Sequence, residues 1–240
     1  MTCVLPNSFR CVRFVFSLIE GVLIDYVGVA ERILREKTNR CLGRVRLKRL
    51  RSTDFTVISN NCWAGTVYRY FNLPYLSPTC GLYFFAEDYV RFASDLRRYV
   101  SLPLEFIDAR VSSHYEELVG KGEENKVVAK IADIEVVFLH YSTAEEAEEK
   151  WRRRVERINW DNLFVKFSQM NGCSDDNIRK FDSIDFPNKI CFTAKPMKDV
   201  ECSVFHPSSV RNGQITNDTD RFRQNFDLFG WLNSAAAVYR

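Results

Sequence analysis

The chain has 240 residues, of which 46% are hydrophobic, so it can bury the core of one domain and extended disorder is not expected. Its formal net charge of +3 is too small to predict a nucleic-acid partner. Its eight cysteines include no CxxC pair, which excludes the spacing of zinc ribbons and thioredoxin-like sites, and no metal site is predicted. The amino-terminal residues do not follow the pattern of an export signal, so we expect reduced thiols and a cytoplasmic protein.

The first 51 residues combine an apolar segment with a basic run. Apolar residues recur at helical spacing between positions 14 and 34, but Glu20 and Asp25 argue against a membrane-spanning helix. The basic run Arg44–Arg51 follows. Two interpretations are open for residues 14–51. The amphipathic helix and the basic run associate peripherally with an anionic inner membrane, or the helix packs on the domain and the run is a solvated linker.

A strand and a helix are predicted next. Residues 55–58 have the length and β-branched content of a buried strand, and Asn60 and Asn61 end it. A helix then begins near Cys62 and runs to about Tyr70. This arrangement predicts that Cys62 stands at or near the amino terminus of a helix.

The middle of the chain is less regular. Residues 72–82 contain two prolines and a glycine, which indicates an ordered loop, and residues 86–100 have one apolar helical face. Residues 101–133 show no clear periodicity. Residues 134–139 are predicted to form a strand that ends at His140.

A capping box marks the start of the next helix. Thr143 and Glu146 have the required spacing, and an apolar stripe continues from there. The basic residues of this helix lie towards its carboxyl-terminal half, where the helix dipole favours cations, so helix stabilisation explains much of the cluster. These residues are Lys150, Arg152, Arg153, Arg154 and Arg157.

Further strands at residues 163–167 and 189–193 flank a short capped helix at residues 174–181. This alternation predicts an α/β fold, a mostly parallel sheet with helices on both faces in a single main domain. We assign the domain to residues 52–200. Residues 201–240 are predicted to be a carboxyl-terminal extension with a possible terminal helix.

A parallel sheet gathers the loops after its strands at one edge, where ligands bind. If the predicted strands are parallel, that edge collects polar and reactive side chains from distant parts of the chain. The residues are Ser59, Asn60, Asn61, Cys62, Trp63, His140, Tyr141, Ser168, Gln169 and Lys195.

These residues suggest acyl transfer. A helix amino terminus favours thiolate, so Cys62 is a candidate nucleophile and His140 the candidate base. Amides near Asn61 and Trp63 are candidates for an oxyanion site, and Lys195 for contact with an anionic group. The alternatives are a cysteine that serves as a small core residue, a structural histidine and an ordinary exposed lysine.

Four segments, taken in order, resemble a bacterial family catalogued as domain of unknown function 1919. The resemblance covers about residues 45–200, and the chain departs from the family pattern at Ala64, where glycine is usual, and at Cys80, where an apolar residue is expected. The segments are DFTVISNNCWAG, LPYLSPTCGLYFFAEDYV, DIEVVFLHYSTAEEAEEKWRRRVERINWDNLFVKFS and FDSIDFPNKICFTAKP.

Members of this family are often labelled exopolysaccharide or capsule biosynthesis proteins, and some acetyltransferases. The resemblance therefore implies a sugar, nucleotide-sugar or lipid-linked sugar precursor as partner, with acyl-CoA as a possible donor substrate and no bound cofactor. We expect an acyltransferase that uses Cys62 or an activated sugar hydroxyl as nucleophile. The alternatives are a glycosyltransferase and a non-catalytic partner of a membrane-associated assembly complex.

Overall fold

The structure is a computed structural model that describes residues 42–219 and 221–234. The strands are β1 (Thr56–Ser59), β2 (Glu105–Ile107), β3 (Val127–Ile131), β4 (Ile134–Phe138), β5 (Leu163–Ser168), β6 (Lys189–Thr193), β7 (Ser203–Phe205), β8 (Val210–Arg211) and β9 (Gln214–Ile215). The α-helices are α1 (Trp63–Phe71), α2 (Ala86–Ser94), α3 (Leu96–Ser101), α4 (Tyr115–Lys121), α5 (Ala144–Val155), α6 (Asp175–Asp182), α7 (Phe222–Asn225) and α8 (Leu228–Ser234). Residues 109–111 form a 3₁₀ turn, and residues 42–47 are also helical.

The main sheet is parallel and has the strand order β1-β5-β6-β7. One face carries Val165 and Phe167, which pack in a core with α2 and α6. The opposite face carries Phe164 and Phe192, which pack with α1 and α8. Because both faces are covered, the strands read as nearly continuous apolar runs. The predicted α/β class is confirmed.

The strand that ends before His140 belongs to a different sheet from the one we predicted. β4 pairs with β3, and β3 with β2, in a separate antiparallel sheet. Only the two residues Ala132 and Asp133 separate β3 from β4, and Ala132 has a positive φ of 56°. A turn this short joins antiparallel neighbours and cannot make a parallel crossover.

Side-chain caps fix the starts of two helices. The Thr143 hydroxyl accepts a hydrogen bond from the amide of Glu146 at 3.2 Å, as the capping box before α5 predicts. Ser174 and Asn177 form a reciprocal capping box at α6. These local contacts satisfy amide groups that a helix start otherwise leaves unpaired.

Both ends of the described chain pack on the domain. Residues 203–205 form the edge strand β7 of the main sheet, so the boundary predicted at residue 200 falls just before a strand of that sheet. Leu228 and Leu232 of α8 are buried in the core that contains Trp63. The amphipathic segment predicted at residues 14–34 lies outside the described residues. None of the described helices is long and apolar enough to cross a membrane.

Candidate functional site

A cavity of about 280 Å³ opens beside the start of α1 and contains both Cys62 and His140 in its lining. We call it the cationic pocket. Residues 62, 65 and 69 come from one face of α1, and α5 contributes residues 150 and 154 at the spacing of one helical turn. The lining residues are Cys62, Gly65, Arg69, Tyr75, Cys80, Gly81, His140, Tyr141, Lys150 and Arg154.

The pocket carries a concentrated positive charge. Arg69, Lys150 and Arg154 line it, and none of the described residues in its lining is acidic. Lys150 forms an ion pair with Glu146, which lies one helical turn earlier on the same face of α5. The guanidinium of Arg69 donates to the Thr66 hydroxyl at 3.3 Å and is otherwise exposed to solvent. A cavity lined by basic side chains concentrates anionic ligands.

Arg154 is the fixed member of this set. The residue is only 7% exposed, and its Nη1 donates to the carbonyl of Cys80 at 2.8 Å and to the Tyr141 hydroxyl. The Tyr141 hydroxyl in turn donates to the carbonyl of Cys80. Gly81 has a positive φ of 85°, and a Cβ there would lie 3.0 Å from the Tyr141 ring. Glycine therefore lets the loop approach the tyrosine and complete this wall of the pocket.

Cys62 occupies the N-cap position of α1, but its surroundings do not favour a thiolate. Its thiol donates to the carbonyl of Leu82 at 3.7 Å. Burial, and next the negative charge of Asp218, raise the pKa of Cys62 to about 11. The raised pKa does not favour the predicted thiolate, and the role of Cys62 as a nucleophile stays a prediction.

The first amides of α1 are already paired. The amide of Trp63 donates to the Asn61 side-chain oxygen at 3.1 Å, and the amide of Ala64 donates to the Ser59 hydroxyl at 3.1 Å. Asn and Ser side chains commonly satisfy nearby backbone amides in this way. Of the amides in the predicted oxyanion site, that of Trp63 therefore has a partner within the chain, and the oxyanion site stays a prediction.

His140 stands at the exposed rim of the pocket. Its backbone amide donates to the carbonyl of Gly81 at 3.1 Å, which fixes the loop. Its imidazole makes no hydrogen bond with any residue that the structure describes. The ring is therefore accessible to a ligand in the pocket.

A second polar group lies buried at the carboxyl end of β5, and it joins the predicted residues Asn61 and Ser168 to Lys166 and Asp218, which we did not predict. We call it the buried network. Lys166 has an exposure of 0% and forms an ion pair with Asp218, which is 2% exposed. The same carboxylate accepts hydrogen bonds from the side-chain amide of Asn61 and from the Ser168 hydroxyl, each at 2.7 Å. Burial alone would raise the pKa of Asp218, but Lys166 and these donors hold it below its ordinary value.

The family comparison covers both regions. The model of the domain of unknown function 1919 matches residues 33–233. The chain belongs to this family. The match begins before the basic run and ends beyond Asp218, so it includes the cationic pocket and the buried network. A Haemophilus influenzae protein, described as an uncharacterized protein, is 28% identical over 201 residues, which are 81% of this chain and 91% of that protein.

The remaining predicted residues of this family member have structural partners. Asn60 joins β1 to β5, since its side chain donates to the Ser168 carbonyl at 3.1 Å and accepts from the Ser168 amide at 3.0 Å. Trp63 lies in the core, edge-on to Phe192. Lys195 is exposed and pairs with Asp175 at 2.6 Å. None of these three side chains lines the cationic pocket.

No group of His, Cys, Asp and Glu side chains within residues 42–219 and 221–234 has the arrangement of a metal site.

The sequence contained a signal for Lys166 that we did not use. Lys166 is a charged residue that shares the inward face of a strand with Phe164 and Ser168. Asp218 had none, since it lies in a polar segment that resembles a linker. Arg69 also gave no signal, and the positions of Lys150 and Arg154 had an explanation in helix stability alone.

Proposed function

We propose that this protein acts in surface-polysaccharide biosynthesis as an acyltransferase, and that its cationic pocket binds a phosphate-bearing sugar precursor. One observation carries the proposal: Arg69, Lys150 and Arg154 line one cavity without an acidic residue among the described residues of its lining. Phosphate groups are among the anions that Arg and Lys bind most strongly, through charge-assisted hydrogen bonds. Nucleotide-linked and lipid-linked sugars both fit this description, since both classes carry phosphate next to the sugar.

The cations have different degrees of freedom to bind such a ligand. Arg154 is held by Cys80 and Tyr141, so it contributes a fixed positive charge in the wall. Arg69 is exposed and makes one long hydrogen bond, to the Thr66 hydroxyl. Its side chain can therefore turn to a phosphate and give up only that bond. Lys150 shares its charge with Glu146 and can contact both. Arg69 is therefore the best position at which to remove charge without disturbing the fold.

The proposed transfer is direct. The His140 imidazole accepts the proton of a sugar hydroxyl as the oxygen attacks the carbonyl carbon of a thioester such as acyl-CoA. A new ester bond forms, the carbon–sulfur bond breaks, and the departing thiolate takes the proton from the imidazolium. Cys62 does not carry the acyl group in this scheme, because the raised pKa of its thiol leaves little thiolate at neutral pH.

The second candidate is a precursor-binding protein without transferase activity. It is favoured by the His140 ring, which no described side chain orients. Catalytic bases are commonly held by a further hydrogen bond, as in serine and cysteine hydrolases. In this case the cationic pocket would present the precursor to a membrane-associated assembly complex.

Binding is tested by calorimetric titration with a nucleotide diphosphate sugar, with acyl-CoA and with the corresponding uncharged sugar. We expect the phosphate-bearing ligands alone to bind, and Arg69→Ala to weaken binding by about tenfold or more, as expected for a charged hydrogen bond. Arg152→Ala is the matched control, because Arg152 is an exposed arginine of α5 outside the cationic pocket. Equal binding by both variants would reject the pocket.

Turnover is tested separately by mass spectrometry of sugar products after incubation with acyl-CoA donors. We expect an acylated sugar from the wild type, about 10²-fold less from His140→Ala, and nearly unchanged product from Cys62→Ala. An acyl adduct on Cys62 would contradict direct transfer. Tight binding without any product would reject the acyltransferase and leave the binding protein.

A further inference from the structure

Residues 42–51, which we call the basic segment, are fixed to the domain. The guanidinium of Arg46 donates to the Tyr70 carbonyl at 2.8 Å and stacks 3.9 Å from the Tyr70 ring centre. The side chain of Asn233 closes the other end, where it accepts from the Arg51 amide at 2.8 Å and donates to the Arg49 carbonyl at 3.0 Å. The basic segment is therefore an ordered surface element attached to α1 and α8.

Gly43 shows how closely this segment approaches α1. A Cβ at this position would lie 2.7 Å from the Asn72 Cβ and 3.0 Å from the Phe71 carbonyl oxygen. Gly43 is buried, and Arg46 and Leu47 also face the domain. Since 3.6 residues make one helical turn, the opposite side of the segment faces outward.

The outward side combines aliphatic and basic groups. Leu42 is 42% exposed and Val45 is 61% exposed, although both are large apolar side chains. Arg44 and Lys48 are exposed beside them and form no ion pair with the described residues. The basic segment has no acidic residue in its sequence, LGRVRLKRLR. This composition is typical of surfaces that lie in the interface of an anionic bilayer.

We propose that the outward side of the basic segment binds an anionic phospholipid surface, with Leu42 and Val45 entering the interface and Arg44 and Lys48 contacting the lipid phosphates. A nucleic acid would use the same cations but would gain nothing from two exposed aliphatic side chains. The inference is independent of the proposed function. The two are nevertheless connected in space, because α1 begins directly after Cys62 of the cationic pocket and ends at Phe71 beneath the basic segment.

The test is sedimentation of the full chain with vesicles of phosphatidylcholine alone or mixed with phosphatidylglycerol. We expect binding to the mixed vesicles only, and a loss of about tenfold or more with Arg44→Glu/Lys48→Glu, because each basic residue near an anionic surface contributes to attraction. Val45→Ser should weaken binding severalfold without changing the charge. Arg152→Glu/Arg153→Glu, a charge reversal on exposed positions of α5, is the control and should bind as the wild type does.

Thermal unfolding of each variant shows whether the fold is retained. Because the substituted residues are exposed, we expect every variant to fold as the wild type does. Unchanged vesicle binding by Arg44→Glu/Lys48→Glu would overturn the proposal. So would an equal loss for the α5 control, or duplex DNA binding that falls with the charge reversal while Val45→Ser has no effect on vesicles. Each of these results would identify either another membrane contact or a general affinity for polyanions.

Discussion

The cationic pocket and the buried network are neighbours that treat charge in opposite ways. Asp218 is close enough to raise the pKa of Cys62 in the pocket lining. In the network its carboxylate neutralises Lys166 and accepts from Asn61 and Ser168, and both charged groups are shielded from solvent. In the pocket, Arg69 faces solvent and forms no ion pair with an acidic side chain of residues 42–219 or 221–234. Compensated, buried charge serves the fold, whereas uncompensated, accessible charge is available to a ligand.

The largest expected effect is on the fold, at Asp218. Asp218→Ala leaves the ammonium of Lys166 buried without its carboxylate, and breaking a buried pair from one side costs about 3–5 kcal/mol. We expect the free energy of unfolding, measured by urea denaturation, to fall by about that amount. A loss below about 1 kcal/mol would contradict a structural role for the network.

The double variant Lys166→Met/Asp218→Leu sharpens this test. It replaces both charges by apolar groups of similar size, which is often neutral or stabilising. We expect it to recover most of the lost stability.

The double variant should also change the dependence of stability on pH. The lowered pKa of Asp218 stabilises the folded state. This stabilisation is present above the unfolded pKa and is lost as the pH falls through the lower folded pKa. The double variant should therefore unfold less steeply in acid.

The next effect concerns the thiol between the two regions. A pKa of about 11 leaves Cys62 with on the order of a hundredfold less thiolate at neutral pH than a free cysteine has. We expect alkylation at Cys62, followed by peptide mass spectrometry, to be slow at pH 7 and to accelerate steadily towards pH 11. Glutathione is the reference thiol. Rapid alkylation at pH 7 would show a thiolate and would restore Cys62 as a candidate nucleophile.

A smaller effect is expected for the pocket lysine, which separates binding from stability. Lys150→Met keeps much of the side-chain volume on α5 and removes one charge from the pocket, at the cost of its partly exposed pair with Glu146. We expect affinity for a nucleotide diphosphate sugar to fall about tenfold, while the free energy of unfolding changes by less than about 1 kcal/mol. Loss of stability without loss of affinity would contradict this account, because Lys150 would then serve the fold and not ligand binding.

The smallest effect is expected at His114, outside both regions. Its ring lies 2.8 Å from the Asp88 carboxylate and stacks on Phe85. Burial opposes protonation, but Asp88 and nearby glutamates outweigh it and raise the pKa of His114. The stabilisation is thus fully present below the unfolded pKa near 6.5 and is lost as the pH rises through the higher folded value. His114→Gln should remove this pH dependence, worth less than about 1 kcal/mol in thermal unfolding.

Much of the fold could be predicted from the sequence, but the second sheet could not. The strand before Asn60 and the capped starts of α5 and α6 rest on local chemistry, and the structure agrees with these predictions. The second sheet was missed because β2 has only three residues, none of them fully buried, so it shows no clear alternation. That omission also placed His140 in the wrong sheet.

The site was harder to predict than the fold, for a physical reason. Arg69, Lys150 and the loop at Gly81 converge through packing between distant segments, and no short spacing records that. Helix stability gave Lys150 and Arg154 a sufficient local explanation, which concealed their common orientation. Asp218 lies 52 positions from its partner Lys166, in the segment that we predicted to be a carboxyl-terminal extension of the domain.

The most direct test of the central claim is a crystal structure of the protein with a bound nucleotide diphosphate sugar. The account predicts the diphosphate in the cationic pocket, within hydrogen-bond distance of Arg69 and Lys150, with the sugar towards His140. Electron density for the ligand at any other surface, with the pocket occupied only by solvent, would contradict it.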